Sequence, residues 1–214
     1  MPKSARDQRF IVNIGGRSKD HYIETLKIAE VVADAVREAQ NELGRKVELT
    51  GKNGGLTGSM KAFGKAYEKK GIPWIPVLTE KLDTPKYAPK IARKNPRKIT
   101  ADDNTQRLGT IVKHEDNKLL IVTSGGSGTL EEVAAAICEI EWRIKWSKET
   151  QADPFHILVA GDVAVKMWRP ILQAVFLQLA DTHPYVERRV IYFPCEYIKK
   201  GLLGQKIKTI LADK

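Results

Sequence analysis

Cysteine is scarce in this 214-residue chain: Cys138 and Cys195 are the only two, too few for a disulfide framework. Both are expected as buried free thiols, Cys138 within an apolar helix. The four histidines, His21, His114, His156 and His183, stand far apart and share no metal-ligand spacing, so no metal centre is expected. No apolar run approaches the length of a membrane span. The start, Met1-Pro2-Lys3-Ser4 leading to Arg6, Asp7 and Arg9, carries no signal-peptide core. These absences lead us to expect a cytoplasmic protein with no membrane partner.

What is present is ordinary for a globular protein, with 42% hydrophobic and 29% charged residues. The length suits a single domain, 1–214, with a sizeable core. The net charge of +10 points to an anionic partner. Charge alone leaves nucleotide, nucleic acid and other phosphorylated molecules open.

Strand and helix patterns alternate along the chain. Phe10 to Ile14 reads as a first strand, followed by the turn Gly15-Gly16-Arg17-Ser18, where Arg17 either reaches a phosphate or is solvated. From Tyr22 to Leu43 a long helix is expected, its apolar residues Ile28, Ala29, Val32, Ala35, Val36, Ala39 and Leu43 repeating at helical spacing until Gly44 ends the pattern. Val47 to Thr50 predicts a second strand, Gly51-Lys52-Asn53-Gly54-Gly55 a turn, and about Thr57 to Lys70 a helix. Ile72 to Leu78 reads as a third strand, which Pro73 and Pro76 mark as an edge or a bulge. From Lys81 to Lys98 seven cations face the single acid Asp83, so this basic loop is either solvated or a lid. Asp102 or Asp103 caps a helix carrying Arg107. Later strands are expected at Phe155–Ala160 and Arg189–Phe193, with a helix from about Trp168 to Ala180 placed so that Pro170 falls in its first turn. The last helix, about 196–211, breaks near Gly201 to Gly204.

The most informative stretch is Lys118 to Glu132, KLLIVTSGGSGTLEE. Its branched apolar run suits a strand buried on both faces. Gly125, Gly126 and Gly128 then permit positive φ and close approach of a ligand. Thr129, Glu131 and Glu132 open a helix whose free N–H groups favour an anion such as phosphate. The dinucleotide fingerprint fails here, because Glu131 stands where its third glycine belongs. A P-loop fails too, since Gly58 to Gly64-Lys65-Ala66 lacks both the spacing and the hydroxyl. What remains is G-G-x-G-T-x-x-E, with Glu132 one turn inside an anion-binding helix.

Gly125-Gly126-Ser127-Gly128-Thr129-Leu130-Glu131-Glu132 resembles the signature of the Lonely guy (LOG) proteins and of the related molybdenum-cofactor carrier proteins. Arg107 is placed like the family's upstream arginine, and Gly54-Gly55-Leu56-Thr57-Gly58-Ser59-Met60 echoes an earlier glycine-rich element. Ser124 and Leu108 stand where the LOG pattern usually has proline and lysine. The resemblance, roughly Phe10 to Glu141, implies an α/β fold of Rossmann-like type, an open, mostly parallel sheet with helices on both faces. It also implies a nucleoside 5′-monophosphate phosphoribohydrolase needing no cofactor, with Arg107 and Glu132 catalytic. Gly125, Gly126, Ser127, Gly128, Thr129, Gly54, Gly55, Gly15 and Arg17 would then bind the phosphorylated ligand. A non-catalytic carrier of a phosphorylated cofactor or nucleotide is the alternative, and nucleic-acid binding by the basic loop a weaker one. Glu132 and Arg107 as a plain salt bridge is the bland reading. On the signature helix, Leu130, Val133, Ile137, Ile140 and Ile144 are expected to seat on the sheet. Cys138, Trp142 and Trp146 form a second stripe that suits a homodimer or higher oligomer.

Overall fold

The computed structural model describes residues 7–16, 22–146, 155–179 and 183–212. In chain order its elements are β1 (Asp7–Ile14), α1 (Tyr22–Leu43), β2 (Val47–Asn53), α2 (Ser59–Lys69), β3 (Trp74–Thr79), α3 (Lys90–Arg93), β4 (Ile99–Ala101), α4 (Asn104–Val112), β5 (Asn117–Val122), α5 (Ser127–Trp146), β6 (His156–Ala160), α6 (Asp162–Phe176), α7 (His183–Glu187), β7 (Val190–Phe193), α8 (Cys195–Lys199) and α9 (Leu202–Ala212). The strands form one sheet in the order β4-β3-β2-β1-β5-β6-β7, and every neighbouring pair is parallel. The chain builds outward from β1 to β4 and then returns to the other side of β1. That reversal between β1 and β5 is a topological switch point, the place in open α/β sheets where ligands generally bind, at the strands' carboxyl ends.

Side-chain alternation explains why both faces need helices. Ile11, Leu119, Ile121 and Leu158 point to one face and pack against α1, α2 and α9. Val12, Leu120, Val122, Ile157 and Val159 point to the other, against α4, α5, α6 and α7. Central strands covered twice must be apolar throughout, as the run Leu119 to Val122 is. Among the described residues no helix is long and apolar enough to cross a membrane.

Several expectations change. β3 lies inside the sheet, because the short β4 covers it. Pro76 is tolerated there since the ladder to β4 begins only at Val77. α6 starts at Asp162, and Pro170 sits in its interior. Buried Ala164, Val165, Trp168, Leu172 and Phe176 hold the helix on the sheet, while Pro170 and Lys166, whose carbonyl loses its partner, face solvent. Leu130 is exposed where the sheet was expected to cover it, and so is Cys138, while Cys195 is only half-buried. The basic segment is folded: Ala88 and Ala92 are buried, Lys98 Nζ bonds Asp83 at 2.5 Å, and Arg97 Nη1 bonds Glu48 at 2.7 Å. Glu48 belongs to the amino-terminal half of β2, so Arg97 faces away from the glycine turns.

Trp168 ties the second face to the switch point. Fully buried on α6, its indole N–H donates to Thr123 O at 3.1 Å, just beyond the end of β5. Trp168→Phe leaves that carbonyl without its donor and opens a small void, so it should destabilise the protein by about 1–3 kcal/mol. Chemical denaturation measures this; a loss below about 0.5 kcal/mol would show that the contact carries little.

Candidate functional site

At the switch point the turns meet backbone against backbone. Gly16 N–H donates to Ser124 O at 2.6 Å, and Ser59 N–H donates to Gly16 O at 3.2 Å. Thr123 Oγ1 donates to Ile14 O at 3.2 Å and meets Ser59 Oγ at 3.1 Å. The ends of β1 and β5 and the start of α2 are thereby locked together. A Cβ on Gly16 would lie 2.8 Å from Gly125 Cα, so the first and last turns touch and neither has room for a side chain there. A Cβ on Gly15 would strike Thr123 and Ser59.

The signature glycines act differently from the expectation of positive φ. None of Gly125, Gly126 and Gly128 has it; Gly55 and Gly58 in the second turn do, at 66° and 73°. Gly125 is required because a Cβ would strike the buried Thr129 side chain. Around Gly126 and Gly128 a Cβ would meet nothing within 4 Å, and Gly126, Ser127 and Gly128 are exposed. These residues lead into the first turn of the 20-residue α5, whose leading N–H groups have no intrahelical acceptor. The open part of the site is therefore Gly126 to Gly128. Gly15, Gly54 and Gly55 are buried and serve close packing, and Arg17 lies outside the described residues.

Behind this opening sit the two charged residues singled out from the sequence. Asp103 caps α4 by accepting from Gln106 N–H, which starts the helix that presents Arg107. Arg107 Nε donates to Val77 O at 3.1 Å and Nη2 to Gly54 O at 3.3 Å, while Nη1 lies 3.8 Å from Glu132 Oε1. Gly54 must be glycine, because a Cβ would occupy the place of the guanidinium. Glu132 is 3% exposed, and its Oε2 is buried with no hydrogen bond from any described residue. Burial pushes its carboxyl up from an ordinary 4.5 to about 7; Arg107 opposes the rise and Glu131 adds to it. One oxygen here faces the guanidinium, and the other has no hydrogen bond from the described residues.

The fold also brings together residues that spacing could not. Glu24, Asp162 and Cys195, from the first turns of α1, α6 and α8, place their side-chain ligand atoms within 4.8 Å of one another. Their contacts are those of helix caps: Glu24 Oε1 accepts from Asp162 N–H at 2.8 Å and from the Cys195 thiol at 2.9 Å, and Asp162 Oδ1 accepts from Cys195 N–H at 2.8 Å. Tyr67 is a second such case. Lying over Gly51, it donates to Asn13 Oδ1 at 2.7 Å and anchors α2 beneath the turns. Neither contact has a local sequence signal, since each joins residues more than 30 positions apart.

No family model matches the chain, and no curated protein matches it. Among solved structures, the molybdenum cofactor binding protein from the phototrophic bacterium Rippkaea orientalis superposes with a TM-score of 0.55 at 15% identity, over 94% of this chain and 99% of that one. A structural-genomics target, TM1055, superposes with a TM-score of 0.52 at 11% identity, over 90% of this chain and 99% of that one. What these proteins share with the chain is its fold, an α/β sheet of Rossmann-like type, so the likeness first carried by the glycine signature extends to the architecture of nearly the whole chain.

Proposed function

We propose that the protein is a nucleoside 5′-monophosphate phosphoribohydrolase, cleaving the N-glycosidic bond to free base and ribose 5-phosphate. The observation that carries this reading is the buried, half-satisfied Glu132 beside Arg107. The phosphate docks on the N–H groups from Gly126 to Thr129, at the positive end of α5. Glu132, one turn further in, then faces the ribose. Departure of the base leaves positive charge on the sugar ring; the Glu132 carboxylate stabilises that charge and orients the attacking water. Arg107 lowers the carboxyl's pKa enough for ionisation near neutrality and binds the nucleotide.

A second reading is supported by the fold shared with a molybdenum cofactor binding protein: the same anion-binding turn would carry a phosphorylated cofactor or nucleotide without chemistry. Incubation with a panel of nucleoside monophosphates separates the two. Free base supports hydrolysis; tight binding with no base released supports the carrier.

For assembly we propose a homodimer or higher oligomer through α5. Leu130, Ala134, Cys138 and Trp142 recur every four residues and are all exposed, Trp142 by 59%. The Trp146 side chain, the other member of the expected stripe, lies outside the described part.

Glu132→Gln should lower turnover by on the order of 10²-fold or more with little change in phosphate binding. In the wild type kcat/KM should rise with pH through about 7 and then level, because the ionised carboxylate is the active form. A flat profile would remove Glu132 from the mechanism. Stability should follow the opposite course. Below pH 4.5 the shift costs nothing, whereas above 7 the fold holds a buried carboxylate at about 3 kcal/mol. Glu132→Gln should therefore melt above the wild type at pH 8 and level with it at pH 4. Arg107→Ala should weaken nucleotide binding and slow turnover together; a fall in melting temperature alone would return the pair to a structural salt bridge. Trp142→Glu should yield a folded monomer by light scattering, and a wild type already monomeric at micromolar concentration would exclude assembly through this face.

A further inference from the structure

Helix α4 is nine residues long, and its carboxyl end is held in an unusual way. The last carbonyls of a helix have no acceptor role within it, yet here three in succession are taken by buried side chains from the sheet. Lys52 Nζ donates to Thr110 O at 3.2 Å, and Asn117 Nδ2 donates to Ile111 O at 3.1 Å and Val112 O at 2.7 Å. Lys52 Nζ also donates to Asn117 Oδ1 at 3.2 Å, which fixes the orientation of the amide. The ammonium lies 3.8 Å above the Phe10 ring, and Lys52 and Asn117 are 1% and 0% exposed.

Lys52 lies near the carboxyl end of β2, and Gly54 follows directly after its last residue, Asn53. The end of β2 and the turn after it therefore hold α4 twice, once through Lys52 at Thr110 and once through Gly54 O at Arg107. Arg107 and Thr110 are three residues apart, about one helical turn, so any rotation of the carboxyl end carries the guanidinium with it. We propose that Lys52, acting with Asn117, is a positioning residue for Arg107: by fastening the carboxyl end of α4 to β2 it sets where the guanidinium meets Glu132. The functional meaning of that placement rests on the reading of Arg107 and Glu132 given above.

A lysine is an expensive choice for so dry a place. Burial pushes its amine down from 10.5 to about 7, with Asp116 opposing; the amine in turn acts on His114, which is itself flanked by Asp116, Glu115 and Arg143 of α5. An apolar residue would fill the space at lower cost, but it would leave Thr110 O and Asn117 Oδ1 without their donor. The cation also sits at the negative end of a short helix, where it is favoured.

The test is the titration of the Glu132 carboxyl by ¹³C NMR, assigned by its loss in Glu132→Gln and followed in the wild type, Arg107→Met and Lys52→Met. Arg107→Met gives the full effect of removing the guanidinium, a rise of ~1–3 units. Lys52 is not among the charges that act on Glu132, so Lys52→Met reaches that carboxyl only by displacing Arg107. The expected result is a titration raised in the same direction as in Arg107→Met, by a measurable part of that rise. A folded Lys52→Met protein with Glu132 titrating as in the wild type overturns the proposal. Should Lys52→Met fail to fold, Asn117→Ala, which frees Ile111 O and Val112 O, is read in the same way. A raised titration in a protein that releases no base from any nucleotide would sink the hydrolase reading and leave the positioning role standing. Base release with an unmoved titration would do the reverse.

Discussion

A carboxylate kept out of water within 3.8 Å of a guanidinium is the constraint around which this molecule is arranged. Such a pair is stable only if its desolvation is offset by contacts that hold it in one geometry. Arg107 obtains them from two backbone carbonyls, Val77 O of β3 and Gly54 O in the turn after β2. Glu132 obtains its burial from α5 lying on the second face of the sheet. The pair can exist only where β2, β3, α4 and α5 converge, beside the switch point that the strand order creates between β1 and β5.

The glycines make this convergence possible by absence of bulk more than by torsional freedom. Gly16 against Gly125, and Gly54 under Arg107, are positions where a single methyl group would force backbone or guanidinium aside. The open surface left over is small, the stretch from Gly126 to Gly128 at the head of a 20-residue helix. An anion-favouring helix start and a buried carboxylate thus sit about one helical turn apart on α5.

Much of this was legible in the sequence because it is encoded locally. The alternation of strand and helix patterns, the full extent of α1 and the break between α8 and α9 follow from hydrophobic period and glycine position. The neighbourhood of Arg107 and Glu132 was legible through the signature. What escaped depends on tertiary contact. β4 has three residues, too few to show a period, and its presence is what moves β3 inward from the edge. α6 carries Pro170 because its solvent side has no need of the lost bond, a fact of burial rather than of local preference. Leu130, in the first turn of α5, stands exposed beyond the stripe of Val133, Ile137 and Ile140 that seats on the sheet, and Lys52, read as a turn residue, proves to be a buried strand residue.

The cap shared by α1, α6 and α8 has a chemical consequence for the two thiols. Hydrogen-bonded to Glu24 and pushed up to about 11, the Cys195 thiol keeps its proton at neutral pH and is a poor nucleophile. Cys138 stands exposed on the outer stripe of α5. An alkylating reagent would therefore discriminate between the two, reacting on α5 at Cys138, and a second subunit docked on that face, as proposed, would shield the thiol and slow its labelling.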